Sequence, residues 1–189
     1  MAHVRRADRA QIILDAAEAL LRRSDARTLT IDAVAAEACL SKGGVLHHYA
    51  SKDALIAALA ARRVGLIRDG ITALLAEQPP GPAALPLAAV AHARQVYAEE
   101  CGFPDALLVA SAENPAAVAG FRAFLADLLE QMAALGCRPG AGEALIFSIL
   151  GLMLTRSLGF HRLDGAEAGR LFDALEAQAR ILAVEGDGG

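Results

Sequence analysis

The stretch that decides the fold covers residues 29–55 and reads LTIDAVAAEACLSKGGVLHHYASKDAL. Thr30, Ser41 and Ser51 each precede a run with apolar residues at helical spacing. A hydroxyl at such a position accepts a hydrogen bond from the free N–H groups of the first helical turn. We therefore expect two short helices joined by a tight turn, the second over about residues 42–48, and a longer helix that begins after Ser51.

The composition of the whole chain favours the same class of structure. Of its 189 residues, 55% are hydrophobic and only 4% aromatic, and the apolar residues are mostly Ala and Leu, which are good helix formers. Apolar positions recur every three or four residues along most of the chain. The pattern predicts an all-α fold of about nine helices, at about residues 9–23, 31–38, 42–48, 52–76, 87–100, 104–111, 114–136, 143–160 and 164–185.

Charge and linker composition divide the chain in two. Up to Arg63 there are ten Lys and Arg against seven Asp and Glu, whereas eight Arg face fifteen acids in the remainder. A Pro- and Gly-rich segment, QPPGPAALP, follows the connecting helix at about 52–76. We predict a basic domain over residues 1–50 and a larger acidic helical domain over residues 51–189.

Several classes of protein and site are not indicated. The three cysteines, Cys39, Cys101 and Cys137, are widely spaced and follow no signal peptide, so neither a disulfide framework nor a zinc motif is expected. The longest apolar run, ALIFSILGLMLT, has 12 residues, and a membrane span needs about 20. We therefore expect a cytoplasmic protein without a membrane span, metal or other cofactor.

Two short helices joined by a tight turn form a helix-turn-helix, whose second helix can enter the major groove of DNA. At about 100° per residue, the second helix would bury Val45, Leu46 and Tyr49. Its outward residues would be Gly43, Gly44 and His47, with His48 at the flank. The adjacent histidines would point about 100° apart, which does not favour a shared metal ion.

The segment 29–55, together with residues 12–20, resembles the DNA-binding domain of the tetracycline-repressor (TetR/AcrR) family of bacterial transcriptional regulators. The resemblance covers about a third of the chain and is carried by the spacing S-K-G-x-x-x-H-H-aromatic-x-S-K-[DE]-x-L. It implies a three-helix DNA-binding domain followed by a helical domain for ligand binding and dimerisation. It also implies contacts with DNA phosphates or bases at Thr30, Ser41, Lys42, Gly43, Gly44, His47, His48, Tyr49 and Lys52.

Two departures from the family pattern lie in this region. Cys39 stands where the turn usually has Gly, and a positive φ at Cys39 would cost on the order of 1 kcal/mol. Leu46 stands where an aromatic residue is usual, so one possible phosphate contact is lost. Near the N-terminus, Arg5 and Arg6 could add minor-groove contacts or could belong to a solvated tail.

The acidic domain offers candidates for two further sites. Polar residues within otherwise apolar helices could orient a small molecule or could be ordinary structural residues; they are His92, Tyr97, Arg122 and Arg156, with His161 nearby. Two helical stripes could pack within the chain or, as the resemblance implies, form a four-helix dimer interface. These stripes are Ser148, Gly151, Thr155 and Gly159, and Leu171, Phe172, Leu175, Ala179 and Leu182.

The sequence therefore predicts a homodimeric regulator, a repressor that leaves its palindromic operator DNA when a small-molecule effector binds the C-terminal domain. A two-fold dimer would place two recognition helices about one DNA turn apart. One alternative is a helical enzyme or carrier that uses His47 and His48, although no nucleophile motif, carboxylate pair or metal spacing is present. A membrane-associated helical protein is the other, suggested only by the mean hydropathy of +0.38. We expect no enzymatic activity.

Overall fold

The computed structural model describes residues 2–23, 29–99, 114–135 and 139–184, and within them it contains eight α-helices, one 3-10 helix and no strand. This confirms the all-α prediction. The 3-10 helix, Pro115–Val118, leads directly into the sixth α-helix. The α-helices are α1 (Ala2–Arg23), α2 (Ile31–Glu37), α3 (Lys42–His48), α4 (Lys52–Glu77), α5 (Ala84–Ala98), α6 (Ala119–Ala133), α7 (Ala141–Ser157) and α8 (Gly165–Val184).

Most helix starts follow the hydrogen bonds that the sequence suggests. The backbone N–H of Ala54 donates to Ser51 Oγ over 3.1 Å at the start of α4. At the start of α8, Asp164 and Glu167 form a reciprocal capping box, in which each backbone N–H donates to the other residue's carboxylate over 2.9 and 2.8 Å. Such contacts involve residues only three positions apart, so the sequence alone suffices to predict them.

The predicted start of α1 is wrong, and the predicted start at Asn114 and Pro115 is right in position but begins with a 3-10 turn. Helix α1 begins at Ala2 rather than near Arg9, because the preceding alanines and arginines also favour a helix. Asn114 makes no side-chain capping bond; its backbone carbonyl accepts from Ala117 over 2.9 Å in the 3-10 turn, and α6 starts only at Ala119. The predicted helix at 104–111 and the predicted stop at Gly136 lie outside the described residues.

The chain forms two compact units. One comprises the described residues 2–63 and 114–121 and the other comprises the remaining described residues, so the division falls within α6, after Phe121, and within α4, between Arg63 and Val64. The predicted boundary at 50/51 precedes this helix, and the functional assignment of the two parts remains a prediction. In the first unit, α1 packs on α2 and α2 packs on α3. Its fully buried side chains include Ile13, Leu29, Val34 and Val45.

The second unit is built around α5, which packs on α7 and α8, while α7 and α8 also pack on each other. Its main core consists of Val90, Ala93 and Tyr97 from α5, Ala141, Leu145 and Met153 from α7, and Phe172, Leu175, Ala179 and Leu182 from α8. A smaller cluster joins Leu128 and Met132 of α6 to Ala89 and Ile146. An ion pair of Arg94 with Asp173, 2.7 Å long, ties α5 to α8 at the rim.

Candidate nucleic-acid interface

Helices α2 and α3 form the predicted helix-turn-helix, and each begins at its predicted cap. Thr30 Oγ1 accepts from the N–H of Ala33 and Ser41 Oγ accepts from the N–H of Gly44, both over 3.1 Å. Both caps have extended backbones, as residues that precede a helix do. The bounds of α3 agree with the predicted recognition helix.

The turn between α2 and α3 depends on Cys39, which has a φ of +53° and is the only residue other than glycine with a positive φ in the described part of the chain. Its N–H donates to the carbonyl of Ala36 over 3.2 Å, and the N–H of Leu40 donates to that of Ala35 over 2.9 Å. These two bonds define a Schellman motif, in which glycine is the usual left-handed residue. The positive φ that the sequence analysis considered at Cys39 is therefore present, and the cost of about 1 kcal/mol remains a prediction.

The outward face of α3 differs from the predicted one. Val45 is fully buried, but Leu46 is 37% exposed, so the prediction that Leu46 is buried is wrong. Gly44 is half-buried rather than outward, because the side chains of Ser41 and Leu40 lie beside it. A Cβ added at Gly44 would lie 3.3 Å from Ser41 Oγ and 3.8 Å from Leu40 Cβ. The prediction from helix periodicity alone assigned Gly44 to the wrong face, since periodicity takes no account of the contact between Gly44 and the capping residue Ser41.

Lys42, the first residue of α3, is exposed and ion-paired. Its Nζ lies 2.9 Å from Oδ2 of Asp32, which lies in the first turn of α2. Gly43 and His47 are also exposed, and nothing in the described structure lies within 4 Å of a Cβ added at Gly43. The side of α3 that carries these residues is therefore open to a bulky partner, with one cation on it.

Tyr49 ends the recognition helix and fixes it against α1. Its hydroxyl donates to the carbonyl of Ala10 over 3.3 Å, and its ring is partly buried. Burial raises the pKa of Tyr49 above its ordinary value of 10.0, and the positive charge of Arg62 lowers it in part. The neutral phenol therefore serves as a structural donor here, and a phosphate contact at Tyr49 remains a prediction.

The other predicted DNA-binding residues lie around this face. His48 is half-buried and makes an edge-to-face ring contact with His47, with the ring centres 5.5 Å apart. Lys52 is half-buried in the first turn of α4. Arg5 and Arg6 belong to α1, but their side chains lie outside the described residues. DNA contacts by all four remain predictions.

Ion pairs connect the helices that carry this face. Arg62 of α4 reaches Asp15 of α1 over 2.5 Å and lies 3.9 Å from Glu18. Arg23, at the end of α1, pairs with Glu37, at the end of α2, also over 2.5 Å. None of these pairs was predicted, because nothing in local sequence spacing indicates contacts between residues so far apart along the chain.

Of the candidate ligand residues, two are in contact. The Arg156 guanidinium stacks over the Tyr97 ring at 4.0 Å from its centre and donates to the backbone carbonyl of Tyr97. Tyr97 itself is buried and meets Phe172 edge to face, with ring centres 5.6 Å apart. His92 instead lies against Gly70 of α4, and Arg122 is exposed on α6.

The predicted dimer stripes have different environments. Phe172, Leu175, Ala179 and Leu182 lie in the core of their own chain, as the alternative interpretation proposed, while Leu171 is exposed. Of the other stripe, Ser148 and Gly151 are exposed on α7. Thr155 is half-buried, and its hydroxyl forms a hydrogen bond of 2.9 Å with His161 Nε2. Gly159 lies beyond the end of α7 and has a φ of +71°. Around them are large exposed apolar side chains that the sequence analysis missed: Phe147, Leu154, Leu158, Phe160 and Ile181.

The described ranges lack the features of two other kinds of site. No group of three or more His, Cys, Asp or Glu side chains there is arranged to hold a metal ion. No described helix combines the length and the apolar character that crossing a bilayer requires.

A unit with a helix-turn-helix whose second helix is capped and partly exposed, together with a second helical unit, is the arrangement of a DNA-binding transcriptional regulator. Residues 13–59 match the family model "Bacterial regulatory proteins, tetR family", and residues 81–180 match "Tetracyclin repressor-like, C-terminal domain". The second match covers more than half of the chain. The chain therefore belongs to the tetracycline-repressor family, which confirms the resemblance found in the sequence.

Solved structures share the fold over nearly the whole chain. A transcriptional regulator from Rhodococcus sp. RHA1 is 20% identical, with a TM-score of 0.72 over 92% of this chain and 95% of its own. A TetR-family regulator from Agrobacterium tumefaciens is 18% identical, with a TM-score of 0.71 over 92% and 98%. AibR, solved with isovaleryl coenzyme A and operator DNA, is 18% identical, with a TM-score of 0.66 over 89% and 96%. No curated protein matches the chain.

Proposed function

We propose that this chain is a cytoplasmic, homodimeric repressor that binds a palindromic operator through α3 and leaves it when a small-molecule effector binds the second unit. The observation that carries the proposal is the open face of α3, on which Lys42, Gly43, Leu46 and His47 are exposed; α3 itself contains no acidic residue. Such a face suits the major groove, whose base edges are flanked by phosphates. No catalytic activity is part of the proposal.

The proposed dimer uses the outward surface of α7 and α8. Phe147 and Leu154 on α7 and Ile181 on α8 are 56%, 41% and 57% exposed, which is unusual for such large apolar side chains on a protein surface. The exposed small residues Ser148 and Gly151 would let a second copy of α7 approach closely. Burial of this surface in a two-fold dimer removes it from water and supplies the driving force for association.

The effector is proposed to bind in the second unit, where Arg156 and Tyr97 are the predicted ligand residues that lie together. The guanidinium is only partly buried and could exchange its contact with the Tyr97 carbonyl for a ligand carboxylate or phosphate. Because AibR was solved with isovaleryl coenzyme A, short-chain acyl coenzyme A esters are the first ligands to examine. Release would follow if the ligand favours a state of the dimer that does not match the operator spacing.

The direct test is fluorescence anisotropy of labelled DNA from the region upstream of the protein's own gene, titrated with the protein at several salt concentrations. The proposal expects a specific complex that weakens as salt rises, and a dimer by light scattering. An acyl coenzyme A ester, added to the complex, is expected to release the DNA if it is the effector. A monomer with no salt-dependent preference for this DNA over a random duplex contradicts the proposal.

A further inference from the structure

The four exposed residues of α3 form one continuous strip. At about 100° per residue they follow one another around the helix in the order Lys42, Leu46, Gly43, His47 and span about 140°. Leu46 thus lies near the middle of the strip, between the one cation and the glycine without neighbours. It is the only aliphatic side chain on this side of the helix, since Val45 points into the core.

Leu46 occupies the position at which the family usually has an aromatic residue. Because its side chain has no hydrogen-bond donor, it does not suit the phosphate contact that an aromatic hydroxyl could make there. It is also 37% exposed and has no apolar neighbour in the strip, so part of its apolar surface stays in contact with solvent. In the major groove, the only apolar group on a base edge is the 5-methyl group of thymine, which aliphatic side chains contact. Gly43 beside it lets the helix backbone approach the bases closely.

We propose that Leu46 is a specificity-determining residue that reads the 5-methyl group of a thymine in each operator half-site. The inference rests on the proposed function, since it requires α3 to enter the major groove. It shifts part of the sequence recognition from hydrogen bonding by Lys42 and His47 to burial of a methyl group. Because the surface that the methyl group buries against Leu46 is small, a several-fold change in affinity is expected.

The test uses an operator found by in vitro selection from random duplexes with the full-length protein. Each thymine of one half-site is then replaced in turn by deoxyuridine, which removes only the methyl group and keeps the base-pairing edge. Dissociation constants are measured by anisotropy at one salt concentration for the wild type, for Leu46→Ala and for His47→Ala. Circular dichroism verifies that each variant is folded.

For the wild type, deoxyuridine at one or two positions is expected to weaken binding about three- to fivefold. Leu46→Ala is expected to lose this sensitivity, whereas His47→Ala, altered on the same strip, is expected to keep it. Equal wild-type affinity for every deoxyuridine duplex overturns the inference even if no variant folds, as does unchanged methyl sensitivity in Leu46→Ala. Failure to select any operator counts against the proposed function instead.

Discussion

The ammonium group of Lys42 lies 2.9 Å from the carboxylate of Asp32, so the first residue of the recognition helix is ion-paired with the preceding helix. Both side chains are more than half exposed, so the pair itself adds little stability. Its consequence concerns binding: a phosphate that approaches Lys42 also meets the negative charge of Asp32.

Replacing Asp32 with Asn is expected to strengthen binding to DNA of any sequence, roughly threefold at low salt, with a smaller gain at high salt because the repulsion is screened. Anisotropy with a random duplex at two salt concentrations measures the effect. Asp69→Asn, an exposed acid in the second unit, is the matched control and is expected to change little. Unchanged affinity in Asp32→Asn at low salt would count against Lys42 as a DNA contact.

Lys52 and His47 are expected to contribute differently to DNA binding. Lys52→Ala should weaken binding to all sequences similarly and reduce the slope of log affinity against log salt by about 0.9 if one phosphate contact is lost. His47→Ala should alter the preference among operator variants instead. Salt titrations on the operator and on a random duplex separate the two effects, and an equal loss on both duplexes would refute base reading by His47.

The left-handed turn at Cys39 predicts a stabilising substitution. Cys39→Gly removes strain of about 1–2 kcal/mol, partly offset by about 0.4–1 kcal/mol for the more flexible unfolded chain, so a net gain of up to about 1.6 kcal/mol is expected. Cys39→Ala keeps the strain and serves as the control for loss of the thiol. Thermal and urea unfolding measure the change, and equal stability of the Gly and Ala variants would contradict the expectation.

The opposite substitution, of a left-handed glycine by a residue with a side chain, is available at Gly159, just after the end of α7. Gly159 has a φ of +71° and makes the same two backbone bonds as Cys39, to the carbonyl of Arg156 and, through Phe160, to that of Thr155. No other group in the described structure lies within 4 Å of a Cβ added there. Gly159→Ala is therefore expected to lose up to about 1 kcal/mol of stability through its backbone alone.

Two glycines of α4 should respond in opposite directions to the same change. Gly65→Ala meets no neighbour and is expected to stabilise the helix by about 0.5–1 kcal/mol. At Gly70 an added Cβ would lie 2.4 Å from the His92 ring, so Gly70→Ala should destabilise the second unit by about 1–3 kcal/mol. Adding His92→Ala should relieve the overlap, and unfolding of the four proteins as a double-mutant cycle tests the contact. A stabilised Gly70→Ala would show that the ring moves aside freely.

Tyr49 should make stability depend on alkaline pH. Tyr49→Phe removes the bond to the Ala10 carbonyl and is expected to cost about 0.5–1.5 kcal/mol near neutral pH. Because burial raises the pKa of the folded phenol above 10.0, folding favours its neutral form. This contribution is complete below pH about 10 and is lost as the pH rises through the folded pKa. Urea unfolding at pH about 8 and about 11 should show a smaller difference between wild type and Tyr49→Phe at the higher pH.

The features that the sequence predicted well are determined by near neighbours. The caps at Thr30, Ser41 and Ser51 and the pair Asp164–Glu167 each involve residues three positions apart. The features that were wrong or missed depend on what packs against a helix from elsewhere. Exposure of Leu46 is set by neighbouring helices, and the Arg62–Asp15 pair joins residues 47 positions apart.

The residues that anchor α3 are different from those on its exposed strip, and this separation affects how such proteins can diverge. The helix is held in place by the Ser41 cap, by the buried Val45 and by the Tyr49 hydroxyl, none of which lies on the exposed strip. Exchanges on the strip at Lys42, Gly43 and His47, which are exposed, therefore leave these three anchoring contacts in place. A duplicated copy of the gene could acquire a new target sequence through these three codons while it inherits the scaffold unchanged.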